Sequence, residues 1–145
     1  MIALLQRVTE ASVTVNNKVI GQIDKGILVF LAIEPDDNRV KAKRMAERVA
    51  GYRIFEDEQG KMNLNVKQSG GEILVVSQFT LAAETNKGLR PSFTSAAKPE
   101  FSKNLYQFYC QELRMLGFEV PTGEFGADMK VRLLNDGPVT FTLTS

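Results

Sequence analysis

The chain has 145 residues, 43% of them hydrophobic and 24% charged, with a net charge of +1. That suits one domain with its own core and argues against disorder and a coiled coil, and the net charge gives no global basic field able to hold a long nucleic acid. There is no histidine and one cysteine, Cys110, which rules out Ser-His-Asp and Cys-His hydrolases and an internal disulfide, and leaves any zinc site only carboxylates and one thiol.

No apolar run reaches the roughly 20 residues of a membrane-spanning helix. Residues 1–7 lack the basic segment and cleavage site of a secretory signal, so the expectation is a cytoplasmic protein. Residues 2–8, 11–15 and 18–23 read as strands, with Val13 and Val15 alternating against Ser12 and Thr14. Asn16-Asn17 makes a hairpin turn, because Asn tolerates positive φ. Gly26 opens a seven-residue apolar run, 27–33, expected as a strand buried on both faces. The period then changes: Ala42, Met45, Ala46 and Val49 share one face of a helix, with Asp36 or Asp37 as its cap and Gly51 as its C′ residue.

Residues 52–55 and 62–66 read as a short strand pair, and Ser69-Gly70-Gly71 turns the chain into residues 72–81. There, Ile73, Leu74, Val75 and Val76 run without a charge into Ser77-Gln78-Phe79-Thr80, which predicts a buried central strand delivering polar groups at its end. Residues 82–98 are too long for a simple connection, and loops of that length are usually functional or mobile. A second helix starts near Pro99, with an apolar stripe of Phe101, Leu105, Phe108, Tyr109, Leu113 and Leu116 and a stop at Gly117. Strands are expected at 118–120, 129–134 and 139–144. The result is a single α/β domain, with two main helices on a mixed, curved or double-layered sheet.

Four stretches carry chemistry. Ser77-Gln78-Phe79-Thr80 places hydroxyls, an amide and free backbone N–H groups at a strand end, where they can orient a substrate or hold an oxyanion. A polar strand end meeting solvent is the plain alternative, and no base lies nearby to activate either hydroxyl. Lys87-Gly88-Leu89-Arg90-Pro91-Ser92-Phe93 suits phosphate and base contacts at a nucleic-acid end, or is simply a solvated loop. Residues 122–128, Thr-Gly-Glu-Phe-Gly-Ala-Asp, either line a pocket through Phe125 or form a tight turn that buries it. Asn135-Asp136-Gly137-Pro138 carries a hairpin signal in Asp-Gly, but a proline directly after it removes a donor where pairing should begin. A cis Gly137-Pro138 bond would make a rigid pair of carbonyl acceptors. Cys110 reads as an inert small hydrophobe.

Together these stretches resemble the D-aminoacyl-tRNA deacylase family over nearly the whole chain. The resemblance rests on Leu5-Gln6-Arg7-Val8 with Ala11-Ser12-Val13, Arg53-Ile54-Phe55 with Gly60-Lys61-Met62-Asn63, and residues 77–81. It continues through Arg90-Pro91-Ser92-Phe93, Thr122-Gly123 with Phe125-Gly126-Ala127, and residues 135–140. One departure is Ala82-Ala83-Glu84, where the family usually has an aromatic, alanine and aspartate at the pocket rim.

The resemblance implies a proofreading hydrolase in translation quality control, acting on the aminoacylated 3′ end of tRNA as a homodimer, with no cofactor and no metal site. It implies that Gly137-Pro138 is cis and enters the other subunit's site beside residues 77–80, excluding the side chain of an L-aminoacyl group. Glycyl-tRNA charged in error then becomes a second substrate. In this view the 2′-hydroxyl of the terminal adenosine assists attack of water, while N–H groups near Phe79 and Thr80 hold the carbonyl oxygen. Ser77, Gln78 and Thr80 position the adenosine and ester, Phe79 and Phe125 wall the pocket, and Arg7 braces the Gly-Pro loop. Two competing expectations are a non-catalytic nucleic-acid-binding module on the same fold and an editing domain for L-aminoacyl-tRNA. The Gly137-Pro138 pair argues against the latter.

Overall fold

A computed structural model describes residues 1–145. Ten elements follow in order: β1 (Ile2–Val15), β2 (Lys18–Ile23), β3 (Gly26–Ala32), α1 (Arg39–Gly51), β4 (Phe55–Glu56), β5 (Met62–Leu64), β6 (Glu72–Ser77), a 3-10 turn (Phe79–Ala82), α2 (Pro99–Met115) and β7 (Lys130–Thr144).

The sheet is organised around β1, not around the 72–77 strand as the sequence suggested. One edge of β1 pairs with β2 over residues 11–15 and with β3 over residues 2–8, so β2 and β3 lie end to end as its antiparallel partner. The other edge carries β7 along almost its whole length. β6 runs parallel to β3, and its far side is met only by the segment at 121–123, through Val75 N–H to Pro121 O at 3.1 Å and Gly123 N–H to Val75 O at 3.1 Å. Ile73 to Val76 are still at most 1% exposed. An unbroken apolar run records burial on both faces, which a strand near the sheet's edge achieves when chain covers it.

Those two faces pack into two cores. Leu5, Ile27, Val29, Ile73 and Val75 face the helices, while Val8, Val13, Leu28, Leu74 and Val76 fill a second cluster on the opposite face, within the curl of the sheet. The register slip between Val8 and Glu10 lets β1 serve both, because one extra residue moves every later side chain to the other face. The Asn16-Asn17 turn is as expected, with φ of 49° and 63°.

Helix α1 buries Ala42, Met45, Ala46 and Val49, the predicted face, but its cap is Asn38, whose side chain accepts from Lys41 N–H. Asp37 instead is buried, accepting the Glu34 N–H at 2.7 Å and pairing with the Met1 amine at 2.7 Å. Gly51 is the last helical residue, not a left-handed C′. In α2 the buried face is Ser102, Leu105, Tyr106, Tyr109, Cys110 and Leu113, so Phe101 and Leu116, placed in the stripe by sequence, are 40% and 37% exposed. Residues 118–120 form no strand, since Val120 takes φ 52°. The two strands expected at 129–134 and 139–144 are one strand, β7, so Asp136-Gly137 is not a hairpin turn.

Candidate active site

β6 ends at Ser77, and Gln78 N–H donates to Leu31 O at 2.8 Å, holding the chain against β3 for one residue more. Gln78 then turns, at φ −144° and ψ 75°, into the 3-10 turn. Within that turn the first N–H to reach back is that of Leu81, to Gln78 O at 3.2 Å, followed by Ala83 to Thr80 O at 3.2 Å. The N–H groups of Phe79 and Thr80 therefore have no carbonyl behind them in the turn. Gln78 Nε2 donates to Thr80 Oγ1 at 2.5 Å, which fixes both side chains at the strand end. Phe79 is 60% exposed and rests against Phe93, with ring centroids 5.1 Å apart.

Beside this turn lies a cavity of about 250 Å³, lined by Ser77, Phe79, Ala97, Ser102, Tyr106 and Phe125 among others. Sequence reasoning brought three of these to one place, Ser77, Phe79 and Phe125. Phe125 both lines the pocket and packs on Tyr106, at 5.7 Å between centroids. Sequence reasoning missed Ser102 and Tyr106, both on α2. The available signal was a serine on the face shared by Leu105 and Tyr106, where an apolar residue belongs. Ser102 is only 9% exposed, and its hydroxyl makes no hydrogen bond to another side chain or carbonyl. The one fully sealed, unpartnered side-chain oxygen is that of Tyr109, so the Ser102 oxygen is reached from the cavity.

No carboxylate or cation lines the cavity. Tyr106 donates to Val75 O at 3.1 Å. Burial, reinforced by the neighbouring Cys110, holds its phenol well above the usual tyrosine range. The Cys110 thiol is itself pushed up to about 11 by burial, against a smaller opposing effect of Arg114. Both stay neutral at physiological pH, so the cavity offers hydrogen bonds and aromatic walls but no acid–base pair.

Gly137 and Pro138 do not line it. The pairing of β1 with β7 jumps from Gln6 opposite Thr140 to Val8 opposite Asn135, so residues 136–139 leave the ladder opposite Arg7. The Gly137-Pro138 bond is cis. Arg7, 6% exposed, donates through Nε to Asp136 O at 3.1 Å and through Nη1 to Ile54 O at 2.7 Å. Asn135 Nδ2 closes the loop's base, donating to Arg7 O at 2.9 Å and Val139 O at 3.0 Å. Asn135, named in the sequence only as part of the Asn-Asp-Gly-Pro stretch, is thus a second brace of the loop. β1 and β3 stand between β7 and β6, three strand spacings or roughly 14 Å across the sheet. Within one chain the Gly-Pro loop and the Ser77–Thr80 turn are held apart by these two intervening strands.

The profile of the D-Tyr-tRNA(Tyr) deacylase family matches residues 4–144. A protein of Colwellia psychrerythraea named D-aminoacyl-tRNA deacylase is 74% identical over 144 residues, 99% of each chain. A solved structure titled c-Myc DNA Unwinding Element Binding Protein superposes with a TM-score of 0.94 at 40% identity, covering 100% of this chain and 99% of that one. Another, titled as a probable eukaryotic D-amino acid tRNA deacylase, superposes with a TM-score of 0.85 at 18% identity over 98% of this chain and 97% of its own, and shares the curled sheet and two helices. With its family profile, a full-length relative at 74% identity and the same fold all in agreement, this chain belongs to the D-aminoacyl-tRNA deacylase family of hydrolases.

Proposed function

We propose that this D-aminoacyl-tRNA deacylase acts on the tRNA 3′ end by supplying position and hydrogen bonds, while the RNA supplies the proton-transfer group. The observation that carries the reading is the Phe79–Thr80 turn: N–H groups without an acceptor in the turn, at the mouth of a cavity that holds no base. Such donors stabilise charge developing on an ester carbonyl oxygen. Water attacks the carbonyl carbon, its proton passes by way of the 2′-hydroxyl of the terminal adenosine to the departing 3′-oxygen, and the ester C–O bond breaks. Free amino acid and tRNA leave. Ser77, Gln78 and Thr80 position the adenosine and ester, and Phe79 and Phe125 form the walls.

Chirality is enforced by a second copy of the chain. Its Gly137-Pro138, held by Arg7, enters beside residues 77–80 and occupies the space that the side chain of an L-aminoacyl group needs. In support, the loop is too far from its own chain's cavity to serve it, and Leu134 and Phe141 on the same strand are 57% and 37% exposed, an apolar surface suited to a homodimer. Glycine has no side chain to exclude, so glycyl-tRNA(Ala) is a second substrate. The enzyme works where tRNA is charged, in the cytoplasm.

The solved structure named for a DNA unwinding element favours one alternative, a nucleic-acid-binding module without turnover. Parallel hydrolysis of D-tyrosyl-tRNA, L-tyrosyl-tRNA and glycyl-tRNA(Ala), with and without a chelator, separates the two. Release of the D and glycyl esters alone supports the deacylase mechanism, and binding with no ester cleaved supports the module.

A further inference from the structure

The loop between the 3-10 turn and α2 is not used by the chemistry above, yet it is built into the site. Glu84 and Ser92 pair as an antiparallel bridge, Glu84 N–H to Ser92 O at 2.9 Å and Ser92 N–H to Glu84 O at 3.0 Å, and Gly88 turns the tip at φ 72°. Phe93, next after the bridge, packs on Phe79 of the site itself. The loop is therefore a small hairpin anchored to the oxyanion turn, and four residues of chain on each side keep its tip within roughly 13 Å of the bridge. Lys87 and Arg90 stand on that tip, both exposed.

Its charge is out of proportion to the molecule. The chain carries a net charge of +1, whereas residues 84–98 hold three cations, Lys87, Arg90 and Lys98, against the single carboxylate of Glu84. None of the three cations lies within ion-pairing distance of a carboxylate; the salt bridges of the chain are all elsewhere. Glu84 is turned to its own loop, accepting the Asn86 N–H at 2.7 Å. Unpaired, exposed cations on a tethered loop beside a charge-free cavity suit a polyanion whose end enters that cavity.

We infer that Lys87 and Arg90 bind the phosphates immediately 5′ of the terminal nucleotide, so that the loop grips the single-stranded end of the acceptor while the cavity takes its last residue. This rests on the reading of the site as one for the tRNA 3′ end. It assigns the loop to affinity and leaves catalysis to the turn, because phosphate contacts position a nucleic acid without touching the ester.

The test compares Lys87→Gln/Arg90→Gln with the unaltered enzyme on D-tyrosyl-tRNA and on a D-tyrosyl ester of adenosine, which lacks every phosphate. The expected result is a KM for the tRNA raised about tenfold at 50 mM salt with kcat unchanged, and a log KM versus log salt slope lowered by roughly 1.4, the loss of two single-strand phosphate contacts. Turnover of the adenosine ester should not change. The charge-keeping swap Lys87→Arg/Arg90→Lys should hold KM within about twofold. An unchanged KM and salt slope, or an equal loss on the adenosine ester, overturns the assignment. If the unaltered enzyme fails to cleave the adenosine ester, it is the reading of the cavity that falls, and the tRNA KM and salt slope still judge the loop.

Discussion

Arg7 reaches from the middle of β1 to the carbonyl of Asp136 at 3.1 Å, with the Asp136 carboxylate 3.5 Å from the same nitrogen. The other arm of its guanidinium holds Ile54 O at 2.7 Å, so one side chain fastens the Gly-Pro loop to the segment after α1. Arg7→Met keeps the buried aliphatic volume and removes both bonds. With two carbonyls losing their donor, it should cost about 2–4 kcal/mol. Urea denaturation would show this as a lower midpoint, with D-tyrosyl-tRNA turnover falling further than stability alone explains.

Gly137 has no room for a side chain. A Cβ there would meet Val139 Cγ2 at 2.6 Å and Arg7 Nη2 at 3.3 Å, and the backbone sits at φ 134°, a region that residues with a Cβ avoid. Gly137→Ala should displace the loop at a cost of roughly 1–3 kcal/mol. Under the proposed exclusion role, the ratio of D- to L-tyrosyl-tRNA hydrolysis should fall at least tenfold. Unchanged discrimination in a folded variant would remove the loop from chirality control.

Thr80 contributes a hydroxyl that accepts from Gln78, and nothing beside it could deprotonate it. Thr80→Ala should therefore lower kcat by only about three- to tenfold, the loss of a positioning contact. A single-turnover assay showing a loss of a thousandfold or more with tRNA binding intact would mean that the side chain is the nucleophile.

Ser102 is a buried polar group in a mostly apolar cavity, and its hydroxyl, unlike that of Tyr106, has no backbone carbonyl to donate to. Ser102→Leu should fill the space and raise KM about tenfold or more. Stability should change little, because the added atoms enter a void instead of a packed core. Ser102→Ala, which only deletes the hydroxyl, should raise KM a few-fold. Steady-state kinetics and thermal melts on both variants distinguish occlusion from misfolding.

The two tyrosines and the cysteine on the inner face of α2 set an alkaline limit. Burial raises the ionisation of Tyr106, Tyr109 and Cys110 above their usual values, the thiol from 9.0 to about 11. In the unfolded chain they ionise at their ordinary pKa, so their contribution to stability is complete below about pH 9 and is lost as pH rises toward the folded values. Cys110 alone should account for about 3 kcal/mol between pH 9 and 11. Urea midpoints should be flat from pH 7 to 8 and fall above pH 9. Tyr109→Phe, which removes a buried hydroxyl without a partner, should raise stability at pH 7 by about 1 kcal/mol and lessen the alkaline fall.

Much of this molecule was legible in its residues, for local reasons. The Asn16-Asn17 turn, the buried face of α1 and the apolar runs of β3 and β6 each follow from a preference or a period carried by neighbouring residues. So did the polar strand end at Ser77–Thr80, and Phe125 lines the same cavity as Ser77 and Phe79. The Asn38 cap was misread because three polar residues in a row, Asp36, Asp37 and Asn38, all suit a cap. The choice fell to Asn38 once Asp37 was taken into the buried pair with the chain's amine, a long-range contact.

Other features depended on tertiary structure alone. Whether β6 lies at the centre of the sheet is decided by which strands pair, and an apolar run is silent about that. β7 passes through Asp136-Gly137 without turning because Arg7, far away in sequence on the opposite strand, holds Asp136 O, while Asn135 ties Arg7 O to Val139 O across the base of the loop. Ser102 became part of the site only when α2 packed against the end of β6. Sequence thus determined the family, most of the elements and the residues that stand at the turn, since those depend on residue type and local spacing. The distance between Gly137-Pro138 and its own chain's cavity, which makes a second copy part of the proposed site, came only from the pairing order of the strands.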